Sequence, residues 1–404
     1  AVWGSRGANG VIVIKTKTGK SGAPQIRASY YKGITERPNL QKTFLGTAER
    51  ERKLDILSTY ANKKQLGGAF PQALSDSLND SYNNATDWQK LFYNTGNIDN
   101  VDLSIAGGSQ VVNYRLALGY YNEDGIVRNT GFKRYSLRGN FGFNLSSFLR
   151  TDFVFSTSRI DRKVGLGRGY NEVTPLDNSN LPSSFVRLGL KDYDFYYGQY
   201  DKVIDDNKTD ILNMFSKTYV DIIEGLQYSF EASIQANLDS RNRFQSREIA
   251  SDDINFASVE NANSYTYNLA NVLNYNKSFG DHSFTLTALQ SFQYDNFRSL
   301  SLLGKNLPTD DIHVVQGVAK KDLEGYSDLK KAGLLSYSGQ FAYDYKSKYI
   351  FNVSYRADGS SRFGKDTKWG YFPALSAAWI ASDEEFLKDM SFINFLKFRG
   401  SWGK

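Results

Sequence analysis

Few residues in this chain are equipped for chemistry, and their spacing limits what they can do. Cysteine is absent and histidine occurs only at His282 and His313. That excludes a thiol nucleophile, a disulfide framework and a Cys-based zinc site. His313 closely follows Asp310 and Asp311. A nitrogen with two carboxylates could hold a metal ion, but such loop clusters are more often solvated, so no metal is assigned. The pairs Asp205-Asp206 and Glu384-Glu385 have the residue type for acid–base catalysis. Adjacent positions point apart, however, and nothing fixes a working separation between the carboxylates. Gly4, Gly7 and Gly10 mimic a phosphate-cradling loop, yet a β-rich run, Val11 to Ile14, stands where a helix is required. Gly19-Lys20-Ser21 mimics the end of a nucleotide-binding loop, but the first glycine of that motif would fall at Ile14. No constellation for catalysis emerges, and the chain reads as a non-enzyme without a cofactor.

The remaining chemistry is that of recognition. Tyr193, Phe195, Tyr196, Tyr197 and Tyr200 cluster between charged neighbours. Aromatic faces of this kind can stack on sugar rings at a binding site, since loops carry function. Self-packing of the loop, or an aromatic girdle at a membrane interface, is the plainer reading. The net charge of +6 is spread along the chain without a basic run, so no nucleic acid is expected as a partner.

The elements that position these residues are strands. Apolar residues form only 40% of the chain while aromatics reach 15%, nearly all Tyr and Phe, which is unlike an ordinary globular core. Alternation with period two dominates. Tyr228, Phe230, Ala232, Ile234, Ala236 and Leu238 alternate with Ser229, Glu231, Ser233, Gln235 and Asn237. Tyr135, Leu137, Phe141, Phe143 and Leu145 do so with Arg134, Ser136, Arg138, Asn140 and Asn144, and a third run spans Leu335 to Tyr345. With weaker segments, the pattern predicts about thirteen strands of about ten residues each, enough for a tilted strand to cross the hydrocarbon layer. Short connections alternate with long ones, the longest over 34–98, 159–212, 240–263 and 296–333. Such sorting by parity fits short periplasmic turns and long external loops, and a soluble sandwich has no reason for it. The expected fold is therefore all-β, an antiparallel transmembrane β-barrel in the bacterial outer membrane, its apolar faces in contact with lipid. Thr47 onward predicts a helix over 47–65 inside the first long link. Single-chain barrels close with even strand numbers, and Ala1-Val2-Trp3-Gly4 begins no export leader. The chain is thus expected to be an internal stretch of a longer protein.

Three stretches resemble the SusC/RagA family of TonB-dependent outer-membrane receptors. The first is Gly4-Ser5-Arg6-Gly7-Ala8-Asn9-Gly10 with the following Val11 to Ile14, similar to the last strand of the family's plug domain. The second is Arg356-Ala357-Asp358-Gly359-Ser360-Ser361-Arg362-Phe363-Gly364, followed by Trp369-Gly370-Tyr371-Phe372-Pro373. The third is Leu396 to Lys404, similar to a barrel strand, while Thr86-Asp87-Trp88-Gln89 is a weaker likeness. The resemblance implies that residues 1–22 end a plug and residues 23–404 form the N-terminal part of the barrel. It implies active import of oligosaccharides or peptides with a SusD-like lipoprotein as lid, driven by TonB through a segment outside this chain. Calcium in an external loop would be in keeping with the family, but spacing does not place it. The alternatives are a passive porin or adhesin barrel, and a soluble β-rich carbohydrate-binding protein.

Overall fold

The computed structural model describes residues 16–60, 71–127, 129–164, 183–187, 189, 203–247, 253–388 and 394–404. The sheet begins with β1 (Gly22–Thr35), β2 (Gly96–Gly108), β3 (Val112–Asp124), β4 (Thr130–Asn144) and β5 (Leu149–Val164). It continues through the longer strands β6 (Ile204–Ile223), β7 (Leu226–Gln245), β8 (Phe256–Phe279), β9 (His282–Lys305) and β10 (Leu323–Tyr345). β11 (Tyr349–Ser360), β12 (Trp369–Ile380) and β13 (Lys397–Gly403) complete it. All thirteen lie in one antiparallel sheet in chain order, each paired with its sequence neighbours, with β1 and β13 at the two edges. Every strand expected from the alternation is present.

The ladder register turns the alternation into two continuous surfaces. One row runs Leu103, Leu118, Leu137, Thr157, Leu212 and Ala236 across β2 to β7. Another runs Phe141, Phe153, Ser216, Ala232, Leu269, Phe292 and Leu335 across β4 to β10. Leu118, Leu269, Leu286 and Phe341 on this surface remain exposed, which in water would be costly and against lipid is favourable. Rings border the apolar band at both ends. Tyr120 meets Tyr135 and Tyr265 meets Tyr267 toward the long links. Tyr275, Phe279 and Phe284 cluster toward the short turns, and Trp379 stacks on Phe398 at the same end. This is the aromatic girdle of a membrane-spanning sheet.

The opposite surface is polar. Arg138, Ser156, Asn213, Gln235, Thr266 and Asp295 form one row, and Asn274, Thr287, Gln340 and Ser354 another. Asn140 on this face donates from Nδ2 to the Lys17 carbonyl at 2.6 Å, so the segment before β1 lies against it. No helix among the described residues is long and apolar enough to cross a membrane.

Strand lengths correct the expectation of about ten residues. β8 and β9 each run 24 residues and β10 runs 23. The link expected over 296–333 therefore shrinks to 306–322, and that over 240–263 to 246–255. The links expected over 34–98 and 159–212 contract less, to 36–95 and 165–203. Beyond the membrane both faces meet water, so alternation fades while the backbone ladder continues. The helix expected over 47–65 is observed as α1 (Thr47–Tyr60), and residues 61–65 lie outside the described residues. Its first turn closes on Gly46, in left-handed backbone at φ 57°, whose carbonyl accepts from Arg50 N. Thr47 is thus inside the helix and not its cap.

Candidate functional site

The long family-like motif falls on two adjacent strands and the link between them, beside β10. Arg356, Asp358 and Gly359 end β11, residues 361–368 form the link, and Trp369 and Gly370 open β12. The three-residue turn after Tyr345 sets the register, with Lys346 and Ser347 both in left-handed backbone. Ser347 N donates to Asp344 Oδ1 at 2.7 Å, which holds that turn without a glycine. From the Tyr345–Tyr349 pair the ladder counts back to place Ser336 opposite Asp358. Arg356 then donates from Nε to Asp358 Oδ1 at 2.8 Å and from Nη2 to Ser336 Oγ at 3.1 Å. These side chains are nearly fully buried, at 7% and 6% exposure for Arg356 and Asp358. With Arg243–Asp205 it is one of two nearly dry ion pairs on the inner wall among the described residues, and the shorter of them.

The rest of the motif holds the turn. Ser361 N donates to the Gly333 carbonyl at 2.9 Å and its hydroxyl accepts from Gly333 N at 2.8 Å, fastening the link back onto β10. Arg362 N donates to Ser360 Oγ, and Gly364 opens a single 3-10 turn, Lys365–Thr367. Phe363 is exposed. Gly359 and Gly370 make room for rings: a Cβ on Gly359 would stand 3.0 Å from the Trp369 indole, and one on Gly370 3.0 Å from Phe372. Trp369 in turn stacks on Tyr337 on the apolar face.

The inner wall around this pair is a hydrogen-bonded lattice. Lys217 meets Glu231 at 2.6 Å, Thr266 donates to Asp295 at 2.9 Å, and Asn268 donates to Ser233 at 3.1 Å. Sequence alternation marks these residues as inward, but it does not pair them. Ser336 in particular carries no signal beyond its place in the polar half of the pattern.

Two clusters organise the long links. In one, Glu49 of α1 accepts from Ser184 N and Oγ and pairs with Lys53 at 2.6 Å. Burial works to raise the Glu49 pKa, and the bonds from Lys53 and Ser184 overcome it and hold the carboxyl below its ordinary range. Arg50 and Lys53 cover the buried Phe185 ring at 5.0 and 5.4 Å. The first link and the fragment 183–187 are therefore one packed unit. In the other, Phe244, Ala257 and Leu307 form a small core with Ile312 and Val315. There Asp310 accepts from Arg247 N and from Asn255 Nδ2, while His313 bonds the Asp310 carbonyl and packs on Phe244. The groups once open to a metal are engaged in holding the loop, and no cluster of metal-ligand type occurs among the described residues. The pairs Asp205-Asp206 and Glu384-Glu385 are likewise not joined as acid and base. Asp205 faces Arg243 and Val164 N, and Glu384 accepts from Tyr349 and Trp379. Gly4, Ser5, Arg6, Gly7, Asn9 and Gly10, and the aromatics Tyr193, Phe195, Tyr196, Tyr197 and Tyr200, lie outside the described residues.

No family model matches the chain. A TonB-dependent receptor of Formosa agariphila is 29% identical over 430 residues, covering all of this chain and 41% of that protein. SusC, a TonB-dependent receptor of Bacteroides thetaiotaomicron, is 27% identical over 446 residues, again covering all of this chain and 41% of the relative. Among solved structures, the RagAB peptide transporter superposes over the whole chain with a TM-score of 0.78 at 19% identity, covering 49% of that chain. The present chain spans about two fifths of the curated relatives it matches. Fold, girdles and relatives together define an outer-membrane β-barrel similar to those of TonB-dependent receptors. In motifs and sequence the chain resembles SusC, and in fold it resembles the RagAB transporter barrel.

Proposed function

We propose that this chain is the N-terminal part of the barrel of an active importer that brings oligosaccharide or peptide nutrients across the outer membrane. Residues 1–22 are the end of its plug and residues 23–404 the barrel and its external links. The observation that carries the reading is the match of the entire chain to TonB-dependent receptors, SusC among them. The polar inner wall supports it, because a solute moving through such a lumen meets donors and acceptors from β2 to β12. So does the contact between Lys17 and Asn140, which fits a plug segment leaving the lumen to enter β1. A SusD-like lipoprotein outside and TonB inside are the partners. The glycines Gly4, Gly7 and Gly10 would turn the plug backbone, and Arg356 to Gly370 would brace the barrel at an external turn.

The test uses the full-length receptor in its own outer membrane. Disruption of the gene should abolish uptake of one nutrient class, and an uncoupler should abolish uptake by the intact strain. A lipoprotein should co-purify from detergent extracts. Uptake unaffected by the uncoupler would favour a passive porin and overturn the proposal.

A further inference from the structure

The outward face of β8, β9 and β10 carries an unusual distribution of charge. Counting alternate residues along these three strands gives no Asp or Glu on the outward face, whereas Glu260, Asp295, Glu324 and Asp328 all point inward. Arg298 and Lys331 nevertheless stand on the outward face, exposed, with no ion pair among the described residues. On β5 and β6 of the same rim, Arg159 has Asp210 at 2.6 Å and Lys208 has Asp206 at 2.8 Å. Ladder register puts Arg298 opposite Leu329 and Lys331 opposite Asn296, so the two cations are diagonal neighbours, roughly 7–8 Å apart at Cα.

Their height is equally specific. Tyr265, Tyr267 and Tyr294 form the girdle at the external edge of the apolar band, and Arg298 follows Tyr294 by four residues. On a tilted strand that is roughly 10 Å above Tyr294 and about 5 Å above Tyr265, at the level of lipid headgroups. There Asn263, Tyr265, Asn296, Arg298, Leu329 and Lys331 line a pocket of about 690 Å³. Ser327 and Asp328 line it as well, and the Asp328 carboxylate is neutralised by its pair with Lys330. Asn296 Oδ1 is buried there without a hydrogen-bond partner. Leu300 and Leu329 stay 47% and 60% exposed at the same level, apolar surface that suits a lipid-linked group better than a free ion.

We propose that this pocket binds the phosphate of an outer-leaflet lipid headgroup, with Arg298 and Lys331 as its cations. Juxtamembrane cations attract anionic lipid, and a phosphate between two of them gains charge-assisted bonds. The proposal is independent of what the receptor imports.

The test uses the full-length receptor in detergent, with native mass spectrometry reading bound lipid. Purified lipid A, phosphorylated or enzymatically dephosphorylated, and inorganic phosphate are the probes. Phosphorylated lipid A should bind, with affinity reduced roughly thirtyfold on removal of its phosphate or in the variant Arg298→Ala/Lys331→Ala. Arg159→Ala, which removes a paired cation at the same rim, should leave binding unchanged. Both target side chains are exposed, so the double variant should keep the heat-resistant electrophoretic mobility of a folded barrel. Equal binding of the two lipid forms, or full binding by the double variant, would overturn the proposal. Inorganic phosphate binding as tightly as the lipid would also overturn it, in favour of a free-anion site.

Discussion

Replacement of Arg356 offers the sharpest test of the inner wall. Its guanidinium spans two strands, bonding Asp358 on its own strand and Ser336 on β10, and both charged side chains are more than nine-tenths buried. Asp358 Oδ2 has no hydrogen-bond partner among the described residues, so the carboxylate depends heavily on Arg356. Arg356→Met leaves that carboxylate in a nearly dry site and should destabilise by about 3–5 kcal/mol. Asp358→Leu leaves the guanidinium its bond to Ser336 and should cost less, about 1.5–3 kcal/mol. The double replacement removes both charges together and should lie well below the sum of the singles, with a coupling on the order of 2–3 kcal/mol.

The assay is urea unfolding of the full-length receptor in micelles, followed by tryptophan fluorescence, on wild type, both singles and the double. A single loss under about 1 kcal/mol for Arg356→Met would mean water reaches the pair. Coupling within roughly 0.5 kcal/mol of zero would mean the two residues act independently. Either result refutes the reasoning from burial.

Three further outcomes follow from the same surfaces. Leu118→Arg, in the apolar row between the girdles, should cost roughly 2–4 kcal/mol in the same unfolding assay, while Ser136→Arg on the polar face should be tolerated; the same comparison holds for Leu137→Arg. Equal losses from the two faces would refute the assignment of lipid and lumen. Gly359→Val should push the Trp369 indole off its contact, costing about 1–3 kcal/mol and shifting tryptophan emission, which steady-state fluorescence would register. Glu384 is held below the ordinary carboxylate range by the Tyr349 hydroxyl and the Trp379 indole N–H, with Lys348 adding to them. A depressed folded-state pKa gives stability that is present above the ordinary glutamate value and is lost as pH falls through the folded one. Hydrogen exchange over 381–388 should therefore stay slow near neutrality and rise only in acid, and Glu384→Gln should flatten that dependence.

The strands and their two faces were legible because the side-chain period of a strand is fixed at two and one face meets lipid. Where that condition ends, legibility ends. Upper β8 reads Val259-Glu260-Asn261-Ala262-Asn263, with no apolar alternation, because water bathes both of its faces there. The partner of Arg356 was hidden for another reason. Ser336 lies twenty residues upstream, and it comes opposite Asp358 only through a turn whose left-handed residues are Lys346 and Ser347. Sequence rules expect Asn or Gly at such positions. The Glu49–Ser184 and Asp310–Asn255 anchors join links distant in sequence, so no local pattern carries them. His313 shows the converse, a metal-like spacing that the fold spends on packing against Phe244.

Loop parity, the strongest membrane signal in the sequence, has an exception among the short turns, and it is instructive. Turns on the Gly280–Asp281 side of the sheet hold a few residues each, but β12 and β13, which meet on that side, are joined by residues 381–396. The strands themselves still approach as in a tight hairpin, with Ile380 paired to Lys397. Just beyond, Ser382 N donates to the Leu396 carbonyl at 3.2 Å and closes the base of the excursion. Glu384 then ties it to Lys348, Tyr349 and Trp379, three residues of the neighbouring strand ends. Ring-closure entropy grows only slowly with length, so an insertion pinned at its base disturbs the ladder little. Parity therefore reports the side of the membrane through the geometry at a turn's base, and length is its usual but not its necessary sign.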